Sequence, residues 1–183
     1  MAFTETLASI QVDPCQVEWA STGVGYIDGD ISVALEEQVV DITAHSEGTN
    51  VLTSIRTGKS CEVTMVLKES ASGQFDTFIS SAGGATNSSG SSGVDVIGWG
   101  KGKDFTPVSS QAGKLVLHPV ANSASNYSED LAFWKAYPLL DTITISGENP
   151  RTMSVTFRCY PDLSLAATDI RLWIRGDHTQ TWS

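Results

Sequence analysis

Residues 28–70, DGDISVALEEQVVDITAHSEGTNVLTSIRTGKSCEVTMVLKES, decide the fold because two stretches of alternating residues flank a polar middle. In the first stretch Ile31, Val33 and Leu35 alternate with polar or small residues, and in the second the apolar residues take every other position over 61–67. Successive side chains of a β-strand point to opposite faces of its sheet, so each pattern predicts a half-buried strand. The stretch therefore predicts two strands of a long hairpin.

The middle of this stretch, about residues 41–57, carries few core-type positions and has a turn signal at residues 47–50. Its many β-branched side chains argue against disorder and favour pairing with another chain, because exposed strand edges recruit partners. These side chains are Val39, Val40, Ile42, Thr43, Val51, Thr53, Ile55 and Thr57. We therefore predict that residues 41–57 project from the domain as a long hairpin loop that contacts another subunit.

The remainder of the chain is mostly strand-like, with one helical segment. Period-two patterns predict further strands at residues 114–120, 131–140, 141–147, 152–160 and 170–176. An apolar set spaced i, i+3, i+4, i+7 predicts an amphipathic helix over about 72–82 that covers one face of the sheets; the set is Phe75, Phe78, Ile79 and Ala82. The sequence thus predicts a mainly β fold with one flanking α-helix.

We expect a single domain over residues 1–183, with residues 1–18 as an N-terminal arm. The segment GGATNSSGSSG at 83–93 has a composition that buries little apolar area and is expected to form a flexible loop. The start of the chain has no basic residue and no apolar core of a signal peptide, and no run approaches the ~18 apolar residues of a membrane span. We therefore expect a protein without a signal peptide and without a membrane partner.

Charge is distributed unevenly along the chain, whose formal net charge is -10. Residues 1–55 hold nine carboxylates and no Lys or Arg, whereas residues 56–183 hold the other twelve carboxylates and all eleven basic residues. Such an asymmetry creates a field that repels nucleic acid. An acidic face kept for solubility is the simpler alternative reading.

Signals for catalysis or metal binding are weak. The histidines His45, His118 and His178 are scattered, and His118 stands before Pro119 as a turn histidine would. The three cysteines, Cys15, Cys61 and Cys159, lie far apart without a C-x-x-C pair, which favours a reducing compartment over a disulfide framework or a zinc site. We therefore expect no cofactor, no metal and no enzymatic activity.

A fixed order of short motifs runs from about Val17 to Asp177. The motifs are TGVGYIDGDISVALEEQVVDI, GTNVLTSIRTGKSCEVTMVLKES, SGQFDTFISSAGG, AGKLVLHPV, RTMSVTFRCYPD and LWIRGD. In this order they resemble the major tail tube proteins of long-tailed bacteriophages and of related gene transfer agents. The resemblance implies a β-sandwich of two sheets with one flanking helix, in which six copies form a ring. The inner sheets of a ring join into one β-barrel, and rings stack into a tube.

The resemblance also implies partners and a location. The lumen would hold the tape measure protein and later pass DNA without specific binding, and the tube would meet tail-tip and tail terminator proteins. The protein would belong to the virion tail, assembled in the cytoplasm of the bacterial host. An acidic wall suits DNA passage because a basic wall would bind phosphates through counterion release.

Carried onto this chain, the resemblance gives two sets of expected contact residues. The loop at 41–57 would reach an adjacent ring through Ile42, His45, Val51, Arg56 and Lys59. The lumen would be lined by the acidic residues Asp28, Asp30, Glu36 and Asp41. For Asp30 and Glu36 the alternation about Ile31, Val33 and Leu35 independently favours the face away from the apolar core.

Two other function classes remain open from the sequence. A tail terminator, tail-tip or decoration protein would share the β-rich composition and oligomerise without forming open-ended tubes. A carbohydrate-binding β-sandwich would present aromatic side chains on one strand face. The tryptophans fall in five different segments, which favours packing over a sugar platform; they are Trp19, Trp99, Trp134, Trp173 and Trp182.

Overall fold

The computed structural model describes residues 14–43, 50–68, 85–87, 96–98, 107–165 and 172–179. The described residues are mainly β-strand and contain no α-helix, which confirms the mainly β prediction. A short 3-10 helix spans Val108–Ser110. The strands in chain order are β1 (Cys15–Trp19), β2 (Thr22–Gly23), β3 (Tyr26–Ile27), β4 (Ser32–Thr43), β5 (Val51–Lys68), β6 (Ala85–Asn87), β7 (Val96–Gly98), β8 (Gly113–Pro119), β9 (Leu131–Thr144), β10 (Thr152–Tyr160) and β11 (Trp173–Arg175).

Nine of these strands form one antiparallel sheet in the order β2-β1-β8-β9-β10-β5-β3. Strand β4 pairs with β5 next to β3, and β11 pairs with β9 next to β10. Strands β6 and β7 pair with each other in a separate two-stranded sheet. A sandwich of two large sheets therefore stays a prediction, as does the barrel formed in a hexamer.

Three further sequence expectations concern segments that lie wholly or partly outside the described residues. The predicted helix at 72–82 lies outside the described residues. The expected flexible loop at 83–93 contains a strand, because Ala85–Asn87 pairs in register with Val96–Gly98. The expected N-terminal arm ends earlier than residue 18, since β1 pairs with β8 from Cys15 onward and buries Val17.

The main hydrophobic core lies on one face of the large sheet, and a smaller cluster of Val116, Ala132 and Ile174 lies on the other. Alternate residues of β5 and β10 supply the centre of the main core, namely Cys61, Val63, Met65, Leu67, Met153, Val155, Phe157 and Cys159. The ring of Trp19 in β1 lies 6.2 Å from that of Phe157 in β10, although β8 and β9 separate these two strands in the sheet. Neighbouring strands are spaced by about 4.8 Å, so this contact indicates that the sheet curls around its apolar face.

Two local features let β1 join this core. Ala20 and Ser21 both have positive φ, at 50° and 65°, which is the backbone of a tight two-residue hairpin turn between β1 and β2. The indole Nε1 of Trp19 donates a hydrogen bond to the carbonyl oxygen of Ala136 at 2.8 Å. Gly113 lies against this turn, and a Cβ at its position would stand 2.7 Å from the Cβ of Ala20. The close approach of β8 to the turn therefore requires a glycine.

Strand β5 is longer than any other strand of the large sheet. Its residues 61–68 pair with β10 on one side, whereas residues 51–60 pair only with β4 among the described residues. Residues 36–43 of β4 and 51–60 of β5 thus form a two-stranded extension, called the arm below. The segment expected to be a loop at 41–57 is instead paired in a hydrogen-bonded ladder at both of its described ends. This pairing satisfies the backbone N–H and C=O groups of these β-branched segments.

Candidate assembly interface

The arm carries aliphatic side chains on both of its faces. Side chains that share a face alternate along β4, so Val39 belongs to one face while Val40 and Ile42 belong to the other. Every large aliphatic side chain of the described arm is between 39% and 55% exposed; the set is Val39, Val40, Ile42, Val51, Leu52 and Ile55. A two-stranded ribbon has no core of its own, and contiguous exposed apolar area marks an interaction surface. The arm is therefore suited to bury these side chains against another chain.

Two bulges shape the arm. Thr57 of β5 has no facing residue between Gln38 and Val39 of β4, and Leu52 of β5 has none between Ile42 and Thr43 of β4. Both extra residues belong to β5, so the alternation along β4 stays regular. The Thr57 hydroxyl donates a hydrogen bond to the carbonyl oxygen of Gln38 at 3.2 Å, which ties the first bulge to the partner strand.

The basic residues of the arm are paired within it. Glu37 Oε2 accepts a hydrogen bond from Arg56 Nε at 3.1 Å, and Lys59 Nζ lies 3.4 Å from Glu37 Oε1 as an ion pair; all three side chains are about half exposed. Arg56 and Lys59, which are expected to contact an adjacent ring, are thus already paired with Glu37 within the subunit. The position of Glu37 directly opposite Lys59 follows only from the register of the ladder and could not be predicted from the sequence.

The other expected inter-ring residues divide into two groups. Ile42 and Val51 are exposed on the arm, as such a role requires. His45 lies outside the described residues. The described part of the arm is thus an apolar surface with an internal ion-pair cluster.

The four acidic residues expected in a lumen do not share one surface. Asp28 binds Lys68, with Oδ1 2.5 Å from Nζ, and Asp30 is exposed in the connection before β4. Glu36 and Asp41 lie five residues apart on a regular strand and so point to opposite faces. Each accepts a hydrogen bond from the facing strand, Glu36 from Ser60 at 3.4 Å and Asp41 from Ser54 at 2.6 Å. The prediction for Glu36 agrees with the face away from the core, whereas Asp41 is on the other face.

The face of the β5–β10 pair that lies opposite the core carries polar side chains. Across β5 and β10, Arg158 Nε donates to Glu62 Oε1 at 3.0 Å, and the hydroxyls of Thr64 and Thr156 are 3.2 Å apart. The hydrogen bond and the charge of Glu62 raise the pKa of Arg158. We call this surface the polar sheet face. It offers paired charges and hydroxyls rather than a run of free carboxylates.

A buried cluster joins two of the histidines that look scattered in the sequence. Asp130 is fully buried just before β9, and its Oδ1 lies 2.7 Å from Nδ1 of His118 at the end of β8. Its Oδ2 lies 3.0 Å from Nδ1 of His178, which follows β11. The ring of Tyr127 stands edge-on to both imidazoles. His118 lies at the end of β8, directly before a turn, as its place before Pro119 predicts, and its ring is held in a carboxylate–imidazole cluster.

Among the described residues no group of three or more His, Cys, Asp or Glu side chains is arranged to hold a metal ion. Both imidazoles turn Nδ1 toward the same carboxylate, an arrangement that ties three chain segments together. No sequence signal could have found it, because the three residues come from distant segments that only the sheet topology brings together.

The structure also brings two of the cysteines together. Cys61 and Cys159 face each other directly across β5 and β10, and both are free thiols in the core. A hydrogen bond between the two thiols lowers the pKa of Cys61 and, together with burial, raises that of Cys159. Cys61 and Cys159 are therefore far apart along the chain but adjacent in the fold.

The described tryptophans do not form a sugar-binding platform. Trp19 is buried in the core, Trp173 packs against the ring of Phe133, and Trp134 lies under the ammonium group of Lys114 at 4.9 Å. Trp99 and Trp182 lie outside the described residues. Packing accounts for the three tryptophans whose positions are described.

Comparison with known proteins gives no family: no family model matches the chain, and no curated protein matches it in sequence. Within the described part of the chain, no helix has the length and apolar character needed to cross a membrane.

Proposed function

We propose that this protein is a structural subunit of a phage tail tube, in which six copies form a ring and the rings stack. The observation that carries this proposal is the arm, a two-stranded extension with exposed aliphatic side chains on both faces. A ribbon of this kind is marginally stable in water by itself. Contact with a neighbouring subunit would both stabilise it and cover its apolar area.

The size of the apolar surface favours repeated rather than pairwise association. Full burial of a Val, Leu or Ile side chain contributes about 1.5–3 kcal/mol, so covering the six half-exposed arm side chains contributes roughly 6 kcal/mol. Bringing two subunits together costs about 4–15 kcal/mol. One arm contact therefore roughly offsets the cost of association. A subunit inside a stack, which both inserts its own arm and receives another, gains more.

The edges of the sheet support the same proposal. The outer edge of β4 is twelve residues long, and among the described residues β4 pairs with β5 alone. An open edge of this length recruits further strands unless it is blunted or closed. Joining the sheets of neighbouring subunits around a ring removes such edges, as closure does in any β-barrel.

Passage of DNA requires a wall that does not hold phosphates. The polar sheet face is the surface best suited to such a lumen because the Arg158 charge is already paired with Glu62. Free basic groups would release counterions from DNA and bind it, whereas paired ones offer little such attraction. A net charge of -10 on each copy adds general repulsion of nucleic acid. The proposed lumen is thus polar and balanced, with Glu36 at its margin.

Electron microscopy of the purified protein tests the proposal. We expect wild type at high concentration, or after addition to tail-tip complexes, to form open-ended tubes with six-fold rings. Val40→Asp should abolish tubes while leaving a folded subunit by circular dichroism. Val120→Asp is the matched control, because Val120 is 49% exposed against 54% for Val40 but lies in a turn away from the arm.

Other outcomes would identify another function. Closed rings that never stack would favour a tail terminator or another virion component. A monomer that binds oligosaccharides in isothermal titration would favour a carbohydrate-binding module. Tubes of normal length from Val40→Asp would show that the arm is not the assembly contact.

A further inference from the structure

The last described segment of the chain, residues 172–179, is held to the sheet by one short strand, by apolar packing that buries Ile174, and by a set of polar contacts. Strand β11 forms three residue pairs with β9 at one edge of the sheet. Beyond it, the Gly176 amide donates to the carbonyl oxygen of Asp130 at 2.8 Å, and the guanidinium of Arg175 binds Glu129, with Nε 2.9 Å from Oε2. Lys114 Nζ donates to the carbonyl oxygen of His178 at 2.9 Å. We call these contacts, with the Asp130–His178 pair, the clasp.

The two imidazoles of the cluster are held unequally. His118 Nδ1 forms a hydrogen bond with Asp130 Oδ1 at 2.7 Å. His178 Nδ1 lies 3.0 Å from Oδ2, but these two atoms are not aligned for a hydrogen bond, and both are buried. His178 is therefore the weaker half of the cluster, and it is the half that belongs to the C-terminal segment.

Charges around His178 oppose its protonation. Burial away from water lowers the pKa of His178 most, and the nearby ammonium group of Lys114 lowers it further. The carboxylates of Asp130 and Asp177 act in the opposite direction and do not overcome these two effects. Glu18 of β1 faces Lys114, and His118 and Tyr127 complete the surroundings. The neutral imidazole is thus the form that the docked segment accommodates.

We propose that the clasp is an acid-sensitive switch, in which uptake of one proton by His178 releases residues 172–179 from β8 and β9. In the released segment the imidazole is in water and takes the proton without the cost of burial or the repulsion of Lys114. Release also frees the backbone groups of β9 that pair with β11. The inference does not rest on the proposed role in a tail tube.

The sign of the pH dependence follows from the lowered pKa. An ordinary histidine titrates near 6.5, and the docked one titrates lower. Docking is therefore fully favoured above about pH 6.5 and weakens as the pH falls through the lower pKa of the docked His178, because the open state then binds more protons. At neutral pH the clasp is closed.

Hydrogen–deuterium exchange of the full chain at pH 7.5 and pH 5.0, corrected for the intrinsic dependence of exchange on pH, tests the proposal. We expect the opening constant of residues 172–179 to rise at least about threefold in acid, while residues 61–67 of β5 change by less than about twofold. His178→Asn should remove the rise, because its amide can donate to Asp130 at either pH and does not titrate. His118→Asn is the matched control and should keep the rise.

Equal acid sensitivity in wild type and His178→Asn would overturn the proposal, as would loss of the response in His118→Asn alone. A second measurement covers the case in which His178→Asn fails to fold. The ring protons of His178, followed by NMR in the wild-type protein, should titrate with a midpoint below that of an exposed histidine. A midpoint at or above the ordinary value would overturn the proposal.

Discussion

At the scale of single residues, Asp130 has more structural importance than its place in a turn suggests. It is the one charged residue among the fully buried side chains of the described chain, and it faces imidazoles from two other segments. A buried carboxylate is tolerated only when such partners satisfy it. Removing it takes the hydrogen-bond partner from His118 Nδ1 and the neighbouring carboxylate from His178.

We expect Asp130→Ala to lower the free energy of unfolding by about 3 kcal/mol, because it combines the lost contacts with unsatisfied buried groups. Urea denaturation monitored by circular dichroism measures this change. Asp28→Ala is the comparison, since it breaks an ion pair with Lys68 in which both side chains are about two-fifths exposed. That variant should lose about 1 kcal/mol or less, and equal losses would contradict the structural role of Asp130.

Gly113 makes a second residue-level prediction. A Cβ at this position would meet the Cβ of Ala20 at 2.7 Å, so Gly113→Ala should destabilise the protein by about 1–3 kcal/mol as β8 is pushed from the turn. Gly147→Ala has nothing within 4 Å of the added carbon and should change stability by about 0.5 kcal/mol or less. Thermal denaturation of the two variants side by side gives the comparison; similar melting temperatures would count against the close approach.

At the scale of elements, the arm depends on contacts between its own two strands. Glu37→Gln removes the partner of both Arg56 and Lys59, yet exposed pairs contribute about 1 kcal/mol or less each. We therefore expect amide exchange in residues 51–60 to accelerate modestly at low salt, with the difference from wild type vanishing near 1 M NaCl. Glu148→Gln in the β9–β10 turn should have no such effect. A difference that persists at high salt would point to a cause other than charge.

The sequence predicts most of the large strands because each strand carries its own signal. The alternation at 61–67 and 152–160 identifies β5 and β10, and the same residues are buried in the structure. Pairing is not encoded locally in this way. Glu37 opposite Lys59, Cys61 opposite Cys159, and the meeting of His118 with His178 all depend on register or topology, which no pattern within one strand contains.

Strand alternation also explains one partial success within the predicted site. It correctly separates Glu36 from the apolar side of β4, since residues at odd and even positions face opposite ways. The same rule places Asp41 on the opposite face from Glu36, so the four acidic residues grouped by composition do not all face one surface. Asp28 and Asp30 precede β4, so the alternation expected to place Asp30 away from the core does not extend to either residue.

At the scale of the whole molecule, charge and apolar surface would act against each other in the proposed assembly. Copies that each carry a net charge of -10 repel one another, while the arm side chains favour contact. Raising NaCl from about 0.05 M to about 0.5 M shortens the Debye length from about 14 Å to about 4 Å and should promote association. Light scattering at fixed protein concentration measures this effect, with Val40→Asp as the variant that should stay dispersed. Dissociation of wild type by salt would instead indicate assembly through ion pairs.

The two bulges of β5 have a geometric consequence for any tube built from this subunit. Each bulge increases the right-handed coiling of the ribbon, so Thr43 and Val51 at the far end of the described arm are rotated relative to its base. In the proposed tube, the surface of the next ring that receives the arm must follow that rotation. The rotation along the arm would therefore set the angle between successive rings. Deleting Thr57 would straighten the ribbon and so alter the helical pitch of the tube, a quantity that image reconstruction reads directly.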